Sequence, residues 1–133
     1  MLTVKTVVRP SLIDGLGLFA AQAIPAETVI WEFVANFDIV YSAEEFDRLP
    51  TAAKPHVRKY SYFDAAKNLW VLCGDDARFM NHADKPNTYE EPGNRTIAVC
   101  DIAEGEELTC DYRQFDGRSF LDEVFSSGVF AYK

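Results

Sequence analysis

Three things are scarce in this 133-residue chain, and each scarcity excludes something. Cysteine occurs only at Cys73, Cys100 and Cys110, an odd number at wide spacing with no CxxC pair. That leaves no disulfide framework and no thiolate pairing of structural-zinc type; reduced thiols and no metal are expected. Long apolar runs are also missing. The longest, TVIWEFVANF, contains Glu32 and is too short to cross a bilayer. The N-terminal MLTVKTVVRPSLIDG has no apolar core followed by a small-residue cleavage site. An intracellular, cytoplasmic protein without a membrane partner is therefore expected. Positive charge is the third shortage: 13 Lys/Arg face 21 Asp/Glu, for a net charge of −8. Phosphate binding wants a basic patch, so direct nucleic-acid binding is disfavoured. The deficit is concentrated in residues 71–133, which hold six Lys/Arg against thirteen Asp/Glu. Such a half attracts basic partners, or simply keeps the protein soluble.

Apolar and aromatic residues are well supplied. Hydrophobic residues make up 48%, with ten Phe, six Tyr and two Trp, enough for an ordinary core in one domain. Short β-like runs dominate: LTVKTVV, GLFAAQAI, TVIWEFVANFDIVY, LWVLC, TIAVC and ELTCDY. Gly, Pro, Asp and Asn separate them, and PGN between Tyr89 and Ile97 reads as a hairpin turn. Helix signals are few. SAEEFDRL opens with a capping box, Ser42 as N-cap and Glu45 three residues on. TAAKPHVRKY reads as an irregular turn limited by Pro55. SFLDEVFSSG has Ser119 as a cap and Gly128 as a stop. The expected architecture is a mostly-β single domain over 1–133, with a helical, variable insert near 42–68 and a C-terminal flank at 113–133.

The densest polar stretch is ARFMNHADKPN, which sets Arg78, Asn81, His82 and Asn87 around a Pro turn. It is preceded by DGLGLFAAQAIPAETVI, with Gly15-Leu16-Gly17, and followed by IAEGEELTCDY, ending at Tyr112. In this order the three pieces resemble the SET-domain family of protein lysine methyltransferases: Gly-x-Gly, then Arg-Phe-x-Asn-His-Ser with Pro-Asn shortly after, then Glu-Leu-Thr-Phe-Asp-Tyr. Gly-x-Gly alone is weak, because any tight turn uses glycine. RFMNHADKPN is strong, with five specified positions in agreement. The resemblance covers roughly Val8 to Tyr112. It implies the β-clip fold of several small sheets, with the tyrosine segment threaded beneath the Asn-His loop as a pseudoknot near the C-terminus.

There are departures from the pattern. Ala83 stands for the usual Ser, Glu27 for a frequent turn Gly, and Cys110 for a bulky aromatic. No cysteine cluster follows Tyr112, so the zinc-binding flank of many relatives is missing.

The activity implied is transfer of a methyl group from S-adenosylmethionine to a lysine ε-amine. That in-line displacement depends mostly on alignment, and the amine must first be neutral. Lysine's reference pKa of about 10.4 is lowered by an apolar channel and a nearby sulfonium. The resemblance gives Tyr112 the central catalytic place, beside the sulfur, the methyl and the incoming nitrogen. It puts Gly15, Leu16, Gly17, Arg78, Phe79, Asn81 and His82 against the cofactor. Asn81 is suited to the amino-acid end, and His82 to adenine through its backbone. Phe33, Cys110 and Phe115 fall to the substrate channel, and either Tyr60 or Tyr62 packs on the cofactor. The small Cys110 suggests a channel that readmits methylated lysine. Bland readings stand beside these: a core tyrosine, a structural histidine, core packing for Phe33 and Phe79, and a surface ion pair of Arg78 with Asp75 or Asp76.

The expected partner is a Lys-rich protein or peptide, histone-like or ribosomal, and a homodimer would complete a groove on so small a domain. Two rival readings are a catalytically silent interaction module that binds a basic protein and an enzyme that methylates a small molecule. Retention of Asn81, His82 and Tyr112 together argues against the silent module.

Overall fold

The computed structural model describes residues 1–117; the expected helix from Ser119 to Gly128, with Phe120 and Phe125, lies outside the described residues. Ten short strands form three small sheets. In the first, β1 (Thr6–Pro10) and β2 (Leu16–Ala20) make an antiparallel hairpin. β10 (Glu107–Cys110) lies against β2, and β7 (Asn81–His82) completes the order β1-β2-β10-β7. The second sheet runs β3 (Val29–Glu32), β9 (Arg95–Ala98), β8 (Thr88–Glu91). The third runs β4 (Ile39–Ser42), β6 (Leu69–Leu72), β5 (Ser61–Asp64).

Leu18, Ala20, Ile24, Ile30, Ala98, Ile102 and Leu108 are all but fully buried and form the centre of the core. They come from β2, β3, β9, β10 and the segments between them, so the first two sheets share one apolar interior. The PGN turn joins β8 to β9 as expected, with Gly93 and Asn94 both at positive φ. Glu27 has φ 67°, which explains why a glycine suits this turn in relatives.

The expected single run TVIWEFVANFDIVY is instead two strands, β3 and β4, divided at Asn36, whose φ is 69°. The insert holds two helices. The capping box at Ser42 is present and starts α1 (Ala43–Asp47), which buries Phe46 against Trp70. The expected irregular turn at TAAKPHVRKY is a regular helix, α2 (Lys54–Tyr60). Pro55 sits in its first turn, where a backbone N–H has no intrahelical acceptor to lose.

β10 is tied from several sides. It pairs antiparallel with β2 and parallel with β7, with Thr109 opposite Asn81 and Cys110 opposite His82. The loop after β7 then grips it again. Asn87 donates to the Glu107 carbonyl at 2.8 Å and accepts from Thr109 N–H at 2.9 Å, while the Thr88 hydroxyl donates to the Thr109 carbonyl at 2.7 Å. Residues 81–88 thus hold the tyrosine segment along its length, the close association expected of a pseudoknot.

Candidate active site

Two groups of residues flank the β7–β10 pair. The first is built on the β1–β2 turn. Gly15 has φ 45°, and its carbonyl accepts from Ser11 N–H at 2.8 Å. A Cβ on Gly17 would come within 2.2 Å of the Glu107 carboxylate, so that position must be glycine for Glu107 to pack there. Glu107 accepts from the Ser11 hydroxyl at 2.8 and 2.9 Å. Asn81, 1% exposed, donates from Nδ2 to the carbonyls of Asp14 and Leu16, each at 3.1 Å, and to Glu107 at 2.8 Å. The carboxamide's donors are therefore turned onto the Gly15–Leu16 turn and Glu107. Asn81 fixes the shape of that turn, whose Leu16 side chain stays 39% exposed.

The second group centres on Tyr112. The expected strand does not run through it. β10 ends at Cys110, and Tyr112 opens a 3₁₀ turn, Tyr112–Gln114, with Asp111 as its cap. The turn bends the ring inward, leaving Tyr112 only 8% exposed. Its hydroxyl donates to the Met80 carbonyl at 2.7 Å, and its N–H donates to His82 Nδ1 at 3.2 Å. The latter bond uses Nδ1 as its acceptor. His82 holds Tyr112 through its side chain, a role beyond the backbone contacts expected of it. Arg113 beside Asp111 holds that carboxyl below its usual range.

Tyr112 opens onto a cleft of about 100 Å³ that is partly continuous with solvent. Of the expected residues, Arg78, Cys110, Tyr112 and Phe115 line it, and so do both Tyr60 and Tyr62. Phe115 meets Tyr62 and Tyr112 edge-on, with ring centroids at 5.2 and 5.9 Å. Phe79 lies behind this wall, edge-on to Tyr60 at 5.8 Å. Phe33 is not part of the lining; Trp31 on β3 is. A register shift between Val29 and Trp31 re-aims that strand, and Phe33 lies beyond its end.

Arg78 makes no ion pair with Asp75 or Asp76 among the described residues. Asp75 instead accepts from Leu2 N–H at 2.7 Å and Ala77 N–H at 3.1 Å. The guanidinium lies over the rings of Tyr60 and Phe79, at 5.5 and 5.2 Å from their centroids. Its Nε, and the indole Nε1 of Trp31, are buried with no hydrogen-bond partner among the described residues. Unpaired buried donors on a cleft wall suit a ligand that brings acceptors.

Sequence reasoning does not single out Trp31, Cys73, Glu90 or Thr96, which also line the cleft. Burial pushes the Cys73 thiol up to about 12 and raises the Tyr62 phenol well above its usual value. Burial also raises the Glu90 carboxyl to about 7, against the opposing hydrogen bond from the Thr96 hydroxyl at 2.5 Å. The signal for Glu90 is present in the period of two: it shares a face of β8 with buried Thr88, while Tyr89 between them points outward.

The donor set fits S-adenosylmethionine. Aromatic walls suit a sulfonium cation and a flat purine, and the unpaired Arg78 and Trp31 donors suit a carboxylate or hydroxyls.

Among curated proteins the chain is similar to the histone-lysine N-methyltransferase set-2 of Caenorhabditis elegans, 28% identical over 116 residues that cover 77% of this chain and 7% of that protein. It is equally similar, at 28% over 113 residues, to human histone-lysine N-methyltransferase 2D, covering 80% of this chain and 2% of that one. The chain thus spans under a tenth of the length of these relatives. Among solved structures, an apo Polycomb Repressive Complex 2 of Chaetomium thermophilum with two substitutions in Ezh2 superposes with TM-score 0.67 at 25% identity, covering 86% of this chain and 16% of that one. A Plasmodium falciparum protein named as a histone methyltransferase gives TM-score 0.59 at 24% identity, with 84% and 95% covered, a likeness of fold. The SET domain family matches residues 15–113, from the glycine turn to just past Tyr112, and the chain belongs to that family.

Proposed function

We propose that the chain transfers a methyl group from S-adenosylmethionine to the ε-amine of lysine in a basic protein substrate. One observation supports this above the others: the Tyr112 hydroxyl, fixed by its bond to the Met80 carbonyl, stands at the wall of an aromatic cleft. Bound there, the cofactor would supply an electrophilic methyl on a positively charged sulfur. The protein's own part is placement and exclusion of water. Tyr112 presents an oxygen held in one orientation, with its N–H tied to His82. Tyr62, Phe115 and Trp31 wall the path and favour the neutral amine by removing water from around it. Arg78 and Trp31 offer their unpaired N–H groups to the cofactor's acceptors. Asn81, through the Gly15–Leu16 turn, shapes the neighbouring surface. Cys110, smaller than the bulky aromatic it replaces, lines the cleft, and more than one methyl per lysine is the expected product.

The substrate reading follows from charge. Net charge of −8 favours a Lys-rich partner, and the two curated relatives are named for histone lysine. The test is calorimetric titration with S-adenosylmethionine, an intact-mass check for carried-over cofactor, and transfer of labelled methyl to histone and ribosomal proteins. Saturable one-to-one binding followed by labelled lysine supports the enzyme. No binding and no carried-over cofactor would shift the weight to a silent module that holds a basic partner.

A further inference from the structure

Glu90, on β8, is held at the cleft wall from two directions. Its backbone N–H donates to the Gln114 side chain at 3.0 Å, and its carboxylate accepts from the Thr96 hydroxyl at 2.5 Å. Thr96 lies on the neighbouring strand β9, and Gln114 belongs to the same 3₁₀ turn as Tyr112. Glu90 and Tyr112 are therefore tied parts of one framework that lines one cleft.

A second cleft shares Tyr62, Glu90, Asn94 and Phe115 with the first and is otherwise lined by Asp64, Tyr89, Glu91, Gln114 and the Pro92–Gly93 turn. Glu90 thus stands where an outer, acidic cleft meets an inner, aromatic one. A long apolar chain with a cationic end that enters by the acidic cleft would pass Glu90, on the shared wall, before the aromatic cleft that Tyr112 lines. Trp31, 4% exposed, lines the inner cleft, and its buried indole N–H has no hydrogen-bond partner among the described residues.

We propose that Glu90 receives the substrate lysine's ammonium from the outer cleft and takes its proton. This rests on reading the cleft as a lysine methyl-transfer site. In the step, an ammonium N–H bond breaks and its electron pair stays on nitrogen, while an O–H bond forms on the Glu90 carboxylate. The neutral amine then has the lone pair that displacement requires. Once the methylated ammonium has left, the Glu90 proton passes to water in the outer cleft, so each turnover releases one proton.

A carboxyl near 7 is suited to this exchange at neutral pH. Other titratable and charged groups share the two clefts with it. In the inner cleft they are Lys59, Tyr60, Tyr62, Cys73, Arg78, Cys110, Tyr112 and Asp116. In the outer cleft they are Asp64, Tyr89 and Glu91.

The experiment uses n-butylammonium, the lysine side chain without its backbone, titrated against the full chain. The readout is the NMR signal of the Trp31 indole N–H; Trp70, the only other tryptophan, stacks on Phe46 and serves as internal control. Butylammonium stays cationic over the range, as lysine does with its pKa of about 10.4. Its affinity is expected to rise several-fold from pH 6 to pH 8 as Glu90 ionises. In Glu90→Gln the affinity is expected to be weak and flat with pH, and in the exposed Glu104→Gln unchanged. A Trp31 signal that does not move, or moves alike in wild type and Glu90→Gln, overturns the proposal. Butylammonium binding as expected without any S-adenosylmethionine binding would sink the methyltransferase reading and leave the cation site standing.

Discussion

The hydroxyl of Tyr112 donates to the carbonyl of Met80, 32 positions earlier in the chain, at 2.7 Å. This bond orients the phenol from outside the turn that carries it. Tyr112→Phe keeps the ring and loses the oxygen. Methyl transfer is expected to fall at least ~100-fold, as when a single polar group aligned on a transition state is removed. Stability is expected to drop by about 1 kcal/mol for the lost bond, and S-adenosylmethionine affinity to hold. Single-turnover kinetics beside calorimetry separate the two, and near-normal turnover would remove Tyr112 from the chemistry.

Asn81 predicts a different split. Its amide ties the Gly15–Leu16 turn to Glu107 from a fully buried position. Asn81→Ala is expected to cost about 1–2 kcal/mol in urea unfolding, because three part-buried acceptors lose a donor that comes from a buried position. Unchanged stability with a large loss of cofactor affinity would instead make Asn81 a direct ligand contact.

The order of the motifs alone carries the fold and much of the site. Gly17, Asn81 and Glu107 all fall within the three motifs, yet their meeting is not legible, since Glu107 lies 26 positions beyond Asn81. A linear pattern shows which residues matter locally; it does not show which side chains meet across the fold. Phe33 is a channel candidate through the family resemblance, and a register shift in β3 gives its place to Trp31. Glu90 reads as one more acid on a solvated face; the period of two in β8 hints otherwise, and its packing where two clefts meet shows it.

That packing makes a stability prediction with a definite sign. Glu90 keeps its proton up to about 7 in the folded protein, against 4.5 for the free side chain. Between those values the unfolded chain has lost the proton and the folded chain holds it. Stability therefore falls as pH rises through this window and stays low above it. Glu90→Gln is expected to be more stable than wild type at pH 8, on the order of 2 kcal/mol after allowance for solvent contact, with the gain vanishing at pH 4. Urea midpoints at both pH values check this, and equal midpoints at pH 8 would show that Glu90 ionises freely.

The thiols are expected to separate by reaction rate. Cys100 is exposed, Cys110 is buried, and burial keeps Cys73 protonated up to about 12. Brief iodoacetamide treatment of the native protein at pH 8 is expected to label Cys100 alone, and all three residues in urea. Peptide mass mapping reads the outcome. Rapid native labelling of Cys73 would mean that the cleft opens far more than its packing suggests.

β10 comes last among the described strands and yet occupies an interior place in its sheet, between β2 and β7. Chain order and spatial order are thus opposed. During synthesis β2 and β7 have no shared neighbour until residue 110 has cleared the ribosome, and each presents an unpaired edge until then. A chain cut just before Glu107 would keep every earlier strand and lose the one that joins two of them. Such a fragment is expected to self-associate through those edges. The residues that bring Tyr112 to its cleft therefore also close the fold to other chains.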